Sequence, residues 1–118
     1  MVKNPHVIMG LSTSARSGLL GLSKGLSREM AQFNITINNL LPERIDTDRQ
    51  TRVIEFQANL AGISYDEAKQ NMEEELTAKR MGTVEEFSDL AAFLCSEQAA
   101  YISGQSISID GGNSTNFY

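Results

Sequence analysis

Few side chains in this 118-residue sequence can do chemistry, and their spacing rules out most reactions. His6 is the one histidine and Cys95 the one cysteine, far apart in the chain. A zinc site needs several nitrogen or sulfur ligands at defined spacing, so no metal site is expected. Cys95 follows Ala91-Ala92-Phe93-Leu94 and is expected to pack as a small buried hydrophobe. Ser12 has neither a Gly-x-Ser-x-Gly elbow nor a histidine base, which makes a helix N-cap its expected role rather than a nucleophile. Glu43, Asp46 and Asp48 gather carboxylates of the kind that do acid/base work or hold Mg²⁺ or Ca²⁺. The EF-hand spacing is absent, and Arg44, Arg49 and Arg52 are interspersed. Local charge pairing is therefore the expected arrangement. Tyr65 and Tyr101 are the internal tyrosines, and Tyr101 is expected to pack at the start of the last strand.

The elements that must position these residues follow from periodicity. Leu19, Leu22, Leu26 and Met30 recur at steps of three and four, which predicts a helix from about Ser12 to Gln32 with one apolar stripe. Ser14, Gly18, Gly21 and Gly25 form a second row. Glycine inside a helix costs roughly 1 kcal/mol against alanine, so this row implies close approach to another backbone. Ile35 to Leu41 begins with alternation and runs into Pro42, which predicts a short strand and a turn. Residues 47–60 are expected to be helical. Ser64-x-x-Glu67 and Thr83-x-x-Glu86 carry capping-box spacing, and Phe87, Leu90, Ala91 and Leu94 make an apolar face behind the second. Ser106 to Asp110 alternates into Gly111-Gly112, a strand and a turn. Strands separated by helices imply parallel pairing through crossovers. Two strands do not make a stable sheet, so the sheet is expected to be incomplete or to be completed by another chain.

Composition narrows the class. Hydrophobic residues at 41% and charged residues at 21% fit one soluble globular domain over residues 1–118. A formal net charge of -5 argues against nucleic acid as a partner. The acids concentrate between Asp66 and Glu86 and are expected to form a solvated helix face. No segment has the length of a membrane span or a signal peptide, so the membrane is not an expected partner and cytoplasm is the expected location. The two sequons, at Asn34 and Asn113, then carry little weight.

Four ordered pieces carry a resemblance to a known family. They are Leu19-Leu20-Gly21-Leu22-Ser23-Lys24 with Leu26-Ser27-Arg28-Glu29, then Ile35 to Asn39 leading to Pro42, then Arg80 to Glu86, and finally Tyr101-Ile102-Ser103-Gly104-Gln105 leading to Ile109-Asp110-Gly111-Gly112. Each is weak alone. In this order and spacing they resemble the C-terminal half of short-chain dehydrogenases/reductases. The resemblance implies an α/β fold: part of a Rossmann-like, doubly wound parallel sheet, helix-rich and completed by oligomerisation. It implies NAD or NADP as cofactor and hydride transfer on a carbonyl or alcohol substrate. The family's glycine-rich phosphate loop has no counterpart in this sequence, so the chain alone is expected to be inactive and to bind no cofactor by itself.

The resemblance also assigns positions. The family's catalytic tyrosine and lysine fall on Ser12 and Arg16. Serine is a poor acid near neutral pH, and loss of a positioned acid/base costs roughly 10²–10⁴ in rate. Arg16 keeps a charge and several donors. Leu11 to Leu19 has the form Leu-Ser-x-x-x-Arg-x-Gly-Leu, which resembles a divergent branch and makes Ser12 and Arg16 lineage features. The family's Pro-Gly is Pro42-Glu43 here, adding bulk and a carboxylate beside the nicotinamide. Pro42, Ile45 and Thr47 match cofactor-contacting positions; a plain turn and helix cap explain Ile45 and Thr47 equally well. The implied partners are a second copy of the chain or a separate N-terminal half, with a small-molecule substrate only in the completed protein. The helix from Ser12 and the last strand region pack at subunit interfaces in the family, so a non-catalytic assembly module is the competing reading. A truncated reading frame with no role of its own is a third.

Overall fold

A computed structural model describes residues 9–115. His6 lies outside them. Helix α1 runs from Gly10 to Met30 and passes into a 3-10 turn at Ala31–Phe33. Asn34, at φ 59, stops it; asparagine tolerates the left-handed conformation better than most residues. The chain then turns back as an extended segment. The expected strand from Ile35 is shorter in the structure: β1 covers only Asn39–Pro42. The Asn38 side chain explains the late start. Its amide nitrogen donates to the Ile102 carbonyl at 2.7 Å, and its oxygen accepts from the Gln105 N–H at 3.1 Å. Side-chain bonds thus interrupt the ladder at Asn38, between the main-chain bonds from the Gly104 N–H to the Ile37 carbonyl and from the Asn39 N–H to the Gln105 carbonyl. From Asn39 onward the backbone pairs in parallel with β2, Ser106–Ile109, in the register Asn39↔Ser106 to Pro42↔Ile109. Among the described residues the sheet has these two strands alone.

Between the strands lie three helices. α2 spans Asp48–Ala61, α3 Tyr65–Glu75 and α4 Val84–Leu94. The core forms where α2 meets α3: Ile54 and Ala58 pack with Ala68 and Met72, joined by Leu76 and Met81. Ile54 is its one large side chain wholly removed from water. Both expected caps are present. Ser64 Oγ accepts from the Glu67 N–H at 3.1 Å, without the reciprocal bond. Thr83 and Glu86 make the full reciprocal box. Phe87, Leu90, Ala91 and Leu94 are the less exposed face of α4, as their spacing predicts.

Several burial expectations are corrected. The α1 stripe is uncovered, with Leu19 58%, Leu22 60% and Leu26 40% exposed. The buried residues of α1 are Ser23 and Ser27 instead. The reason is what reaches the helix. The Gly104 turn docks on its polar side, where Lys24 Nζ donates to the Gly104 carbonyl at 2.9 Å. A Cβ at Gly104 (φ +70) would lie 2.6 Å from Ser27 Oγ, so only glycine allows this approach. The row Gly18, Gly21 and Gly25 meets nothing within 4 Å. Tyr101 is fully exposed in a turn, because β2 starts five residues later and nothing packs over it. Cys95 is exposed too. With Ala91 and Leu94 it lines an open hollow of about 670 Å³ opposite Ile37 and Leu40, so the packing that its apolar run predicts has no covering layer.

These uncovered faces add up. A compact protein of 13.0 kDa exposes roughly 6,300 Å², and this chain exposes 8535 Å². The α/β fold is therefore partial: a helix-rich layer around the end of a parallel sheet.

Candidate functional site

In open α/β sheets ligands bind outside the carboxyl ends of the strands. β1 and β2 end side by side, tied by Glu43 N–H donating to the Ile109 carbonyl at 3.2 Å. The loop from Pro42 to Thr47 leaves from this end. It is clamped to Gly82: the Gly82 N–H donates to the Arg44 carbonyl and the Asp46 N–H to the Gly82 carbonyl, both at 2.8 Å. Ile45 forms the parallel bridge with Gly82. A Cβ on Gly82 would sit 2.9 Å from Ile45 Cδ1, so the two chains touch because this residue has no side chain. Gly82 is held in turn from both sides. Arg80 donates to Glu86 twice, at 2.9 and 2.6 Å. Glu86 Oε2 also accepts from the Thr83 N–H at 2.8 Å. The Arg80 guanidinium, then the Thr83 N–H, hold the Glu86 carboxyl at a pKa of about 2, and Glu86 raises that of Arg80. Both side chains are about half exposed, so this pair acts more on geometry than on stability.

Beside the loop, under the start of α2, opens a cleft of about 360 Å³. Its apolar lining includes Ile45, Val53, Val84 and Phe87, and its polar lining Glu43, Arg44, Thr47, Arg49 and Gln50. Pro42, Ile45 and Thr47 are thus gathered around one cavity. Thr47 occupies the N-cap position of α2, but its side chain makes no cap bond. Glu43 points to the C-terminal turn, where its Oε1 accepts from Asn113 Nδ2 at 2.9 Å. Asn113 Oδ1 accepts in turn from Thr77 Oγ1 at 3.2 Å. The expected charge pairing within residues 43–52 is corrected here. Among the described residues the one ion pair is Arg80–Glu86. Asp46, Asp48 and Arg49 are exposed, where water competes for each charge.

Ser12 and Arg16 meet each other on α1, Arg16 Nη1 donating to Ser12 Oγ one turn back. Ser12 is the third residue of the helix and not its N-cap, a position held by Met9. At that position the N–H groups two and three residues on already bond backward within the helix, so its hydroxyl has no free N–H to cap. Among the described residues no hydrogen bond or ion pair joins this pair to the loop from Pro42. The side-chain hydrogen bond that ties α1 to the turn before β2 is made by Lys24, roughly 18 Å along the axis from Ser12.

Residues 5–114 match the family model described as Enoyl-(Acyl carrier protein) reductase. The fold superposes on a short chain dehydrogenase family protein from Francisella tularensis with a TM-score of 0.80 at 33% identity, covering 86% of this chain and 42% of that one. The chain belongs to the short-chain dehydrogenase/reductase family. It is 40% identical over 111 residues to the NADPH-dependent reductase BacG of Bacillus subtilis, spanning 94% of this chain and 43% of that protein. It is 33% identical to the 3-oxoacyl-[acyl-carrier-protein] reductase FabG of Aquifex aeolicus, over 85% of this chain and 36% of FabG. The solved structure of YwfH, an NADPH dependent reductase involved in bacilysin biosynthesis, matches with a TM-score of 0.86 at 37% identity, over 97% of this chain and 43% of that chain. The chain therefore spans less than half the length of the relatives it matches.

No helix among the described residues is long and apolar enough to cross a membrane. Sequence reasoning missed the Gly82 clamp and the Glu43–Asn113 tie. The Thr83–Glu86 box was legible. Arg80 stands in one of the four pieces of the resemblance, but a spacing of six marks no ion pair with Glu86, and Glu43 and Asn113 are 70 positions apart.

Proposed function

We propose that residues 1–118 act as one unit that supplies the C-terminal half of a reductase site using NADPH or NADH on a carbonyl substrate. Pro42, Ile45 and Thr47 contact the nicotinamide end of the cofactor, and Ser12 and Arg16 stand at the acid/base and ribose positions. The observation that carries this reading is the clamped loop at the carboxyl ends of the paired strands. The pyrophosphate must come to a glycine-rich loop that residues 1–118 lack, such as that of an N-terminal half. The chain on its own then neither holds the cofactor tightly nor reduces a carbonyl. The cytoplasm is the compartment this activity fits.

A titration of the purified chain with NADPH and NADH, followed by nicotinamide fluorescence, tests the division of labour. The expected result is a flat response from the chain alone and a saturable one after addition of the N-terminal portion of the Bacillus subtilis relative. No saturable response from the mixture would sink the proposal. The uncovered α1 stripe favours a second reading, a non-catalytic assembly module. Low-micromolar binding of NADPH by the isolated chain would exclude that reading.

A further inference from the structure

Glu43 is the first residue after β1, and it is tied twice to the segment that ends β2. Its N–H donates to the Ile109 carbonyl at 3.2 Å. Its carboxylate Oε1 accepts from Asn113 Nδ2 at 2.9 Å, across 70 positions of sequence. The other end of the Asn113 amide is taken as well. Oδ1 accepts from the Thr77 N–H at 3.4 Å and from Thr77 Oγ1 at 3.2 Å. These partners admit one orientation of the amide. A carboxylate accepts and a main-chain N–H donates, so the NH₂ must face Glu43 and the oxygen must face Thr77. Asn113 therefore joins three segments: the loop after β1, the chain just past α3, and the turn after β2.

The turn that carries Asn113 is a firm anchor. The Asp110 carboxylate accepts from the Gly112 N–H at 3.0 Å and from the Ser114 N–H at 3.1 Å. The Asn113 N–H donates to the Asp110 carbonyl at 3.1 Å. Gly111 (φ +60) lies so close to the chain past α3 that a Cβ on it would sit 2.8 Å from Ala78 Cβ. The loop is fixed further along by Gly82, at Arg44 and Asp46. Glu43 supplies the hold at its first residue. Arg44, next to it, is not its partner: among the described residues the one ion pair is Arg80–Glu86.

We infer that Glu43 is a positioning residue, whose carboxylate acts through Asn113 to set where the Pro42–Thr47 loop leaves the sheet. Glu43 lines the cleft beside that loop, where a carboxylate could instead serve a ligand or a proton. Its bond to Asn113 gives it a different task. A hydrogen bond to a charged group is stronger than a neutral one and holds a defined geometry. That the positioned loop meets the nicotinamide rests on the function proposed above; the tie itself does not.

The test exchanges donor and acceptor. In Asn113→Asp the donor is gone and two carboxylates face each other. Adding Glu43→Gln restores the bond in reverse: the introduced amide donates to the introduced carboxylate, whose second oxygen still accepts from Thr77. The net charge then equals that of the parent. Amide hydrogen exchange in the 118-residue chain reads the loop at residues 43, 46 and 82. Exchange there should quicken about fivefold in Asn113→Asp and in Glu43→Ala, the factor that one typical net hydrogen bond represents. Glu43→Gln alone keeps an acceptor oxygen and should stay near the parent. The double variant should return toward the parent. Unchanged exchange in Glu43→Ala, or a double variant as fast as Asn113→Asp, would overturn the proposal. So would an equal rise at the core amides of Ile54 and Met72, which would mean general destabilisation. With the N-terminal portion of the Bacillus subtilis relative added, NADPH binding should weaken about fivefold in Glu43→Ala and recover in the double variant. Binding lost in Glu43→Gln with loop exchange unchanged would make Glu43 a cofactor contact and overturn the positioning role. Absence of NADPH binding by the parent mixture would remove the link to the nicotinamide, while the exchange rates still decide the tie.

Discussion

Gly82 leaves Ile45 no room to move closer and no side chain to push it away. Substituting alanine places a Cβ 2.9 Å from Ile45 Cδ1, so the isoleucine tip must turn or the loop must lift. The tip is flexible, so the expected loss of stability is only about 1 kcal/mol, the low end for overpacking. The larger effect falls on the loop. The amides of Asp46 and Gly82, protected by the two bridging bonds, should exchange faster in Gly82→Ala by hydrogen–deuterium exchange. The Glu86 carboxyl gives a second residue-level prediction. Its pKa is 4.5 unperturbed and about 2 in the folded chain. Its stabilising effect is therefore complete above about pH 4.5 and is lost as the pH falls through about 2. Denaturant midpoints measured across this window should fall more steeply for the parent than for Glu86→Gln, and the two curves should converge at the acid end.

Among the elements, the two capped helices should respond differently to the same kind of damage. Loss of a serine or threonine cap typically costs about 1 kcal/mol. α3 places Ala68 and Met72 in the core, so Ser64→Ala should lower the global unfolding free energy by about that amount. α4 contributes no fully buried residue. Thr83→Ala should therefore fray α4 locally, read as faster exchange of the Glu86 and Phe87 amides, with a smaller shift in the global midpoint. This contrast also marks what the sequence makes legible. Helix identity and caps depend on residues three or four apart, and both were readable at Ser64 and Thr83. So was the parallel pairing of the strands. Burial depends on partners distant in sequence. The α1 periodicity correctly marks a helix with an apolar stripe, yet the face that docks carries Ser23 and Ser27 because the Gly104 turn arrives there. Cys95 and Tyr101 fail for the same reason: their apolar neighbourhoods lack the layer that would cover them.

At the scale of the whole molecule the uncovered area sets the outcome. The chain exposes on the order of 2,000 Å² more than a compact protein of its mass. A standard protein interface covers roughly 800 Å² on each partner, which leaves more than half of that excess open. One modest dimer contact is thus too small. Covering the excess takes an extensive, largely apolar surface, from further polypeptide or from a second copy, or more than one contact. The exposed Leu11, Leu19 and Leu22 on α1 and the exposed Phe56 and Leu60 on α2 supply two separate apolar patches. Sedimentation at micromolar concentration should accordingly give a mass above that of one chain. Leu22→Glu places a charge in the middle of the α1 stripe, where its burial in an interface would cost several kcal/mol. Its side chain is 60% exposed in the single chain, so the fold of the protomer should survive. The variant is expected to sediment at lower mass with an unchanged helical signal by circular dichroism. A parent chain that is monodisperse and monomeric at that concentration would show that the α1 stripe is tolerated in water, and the assembly argument would fail with it.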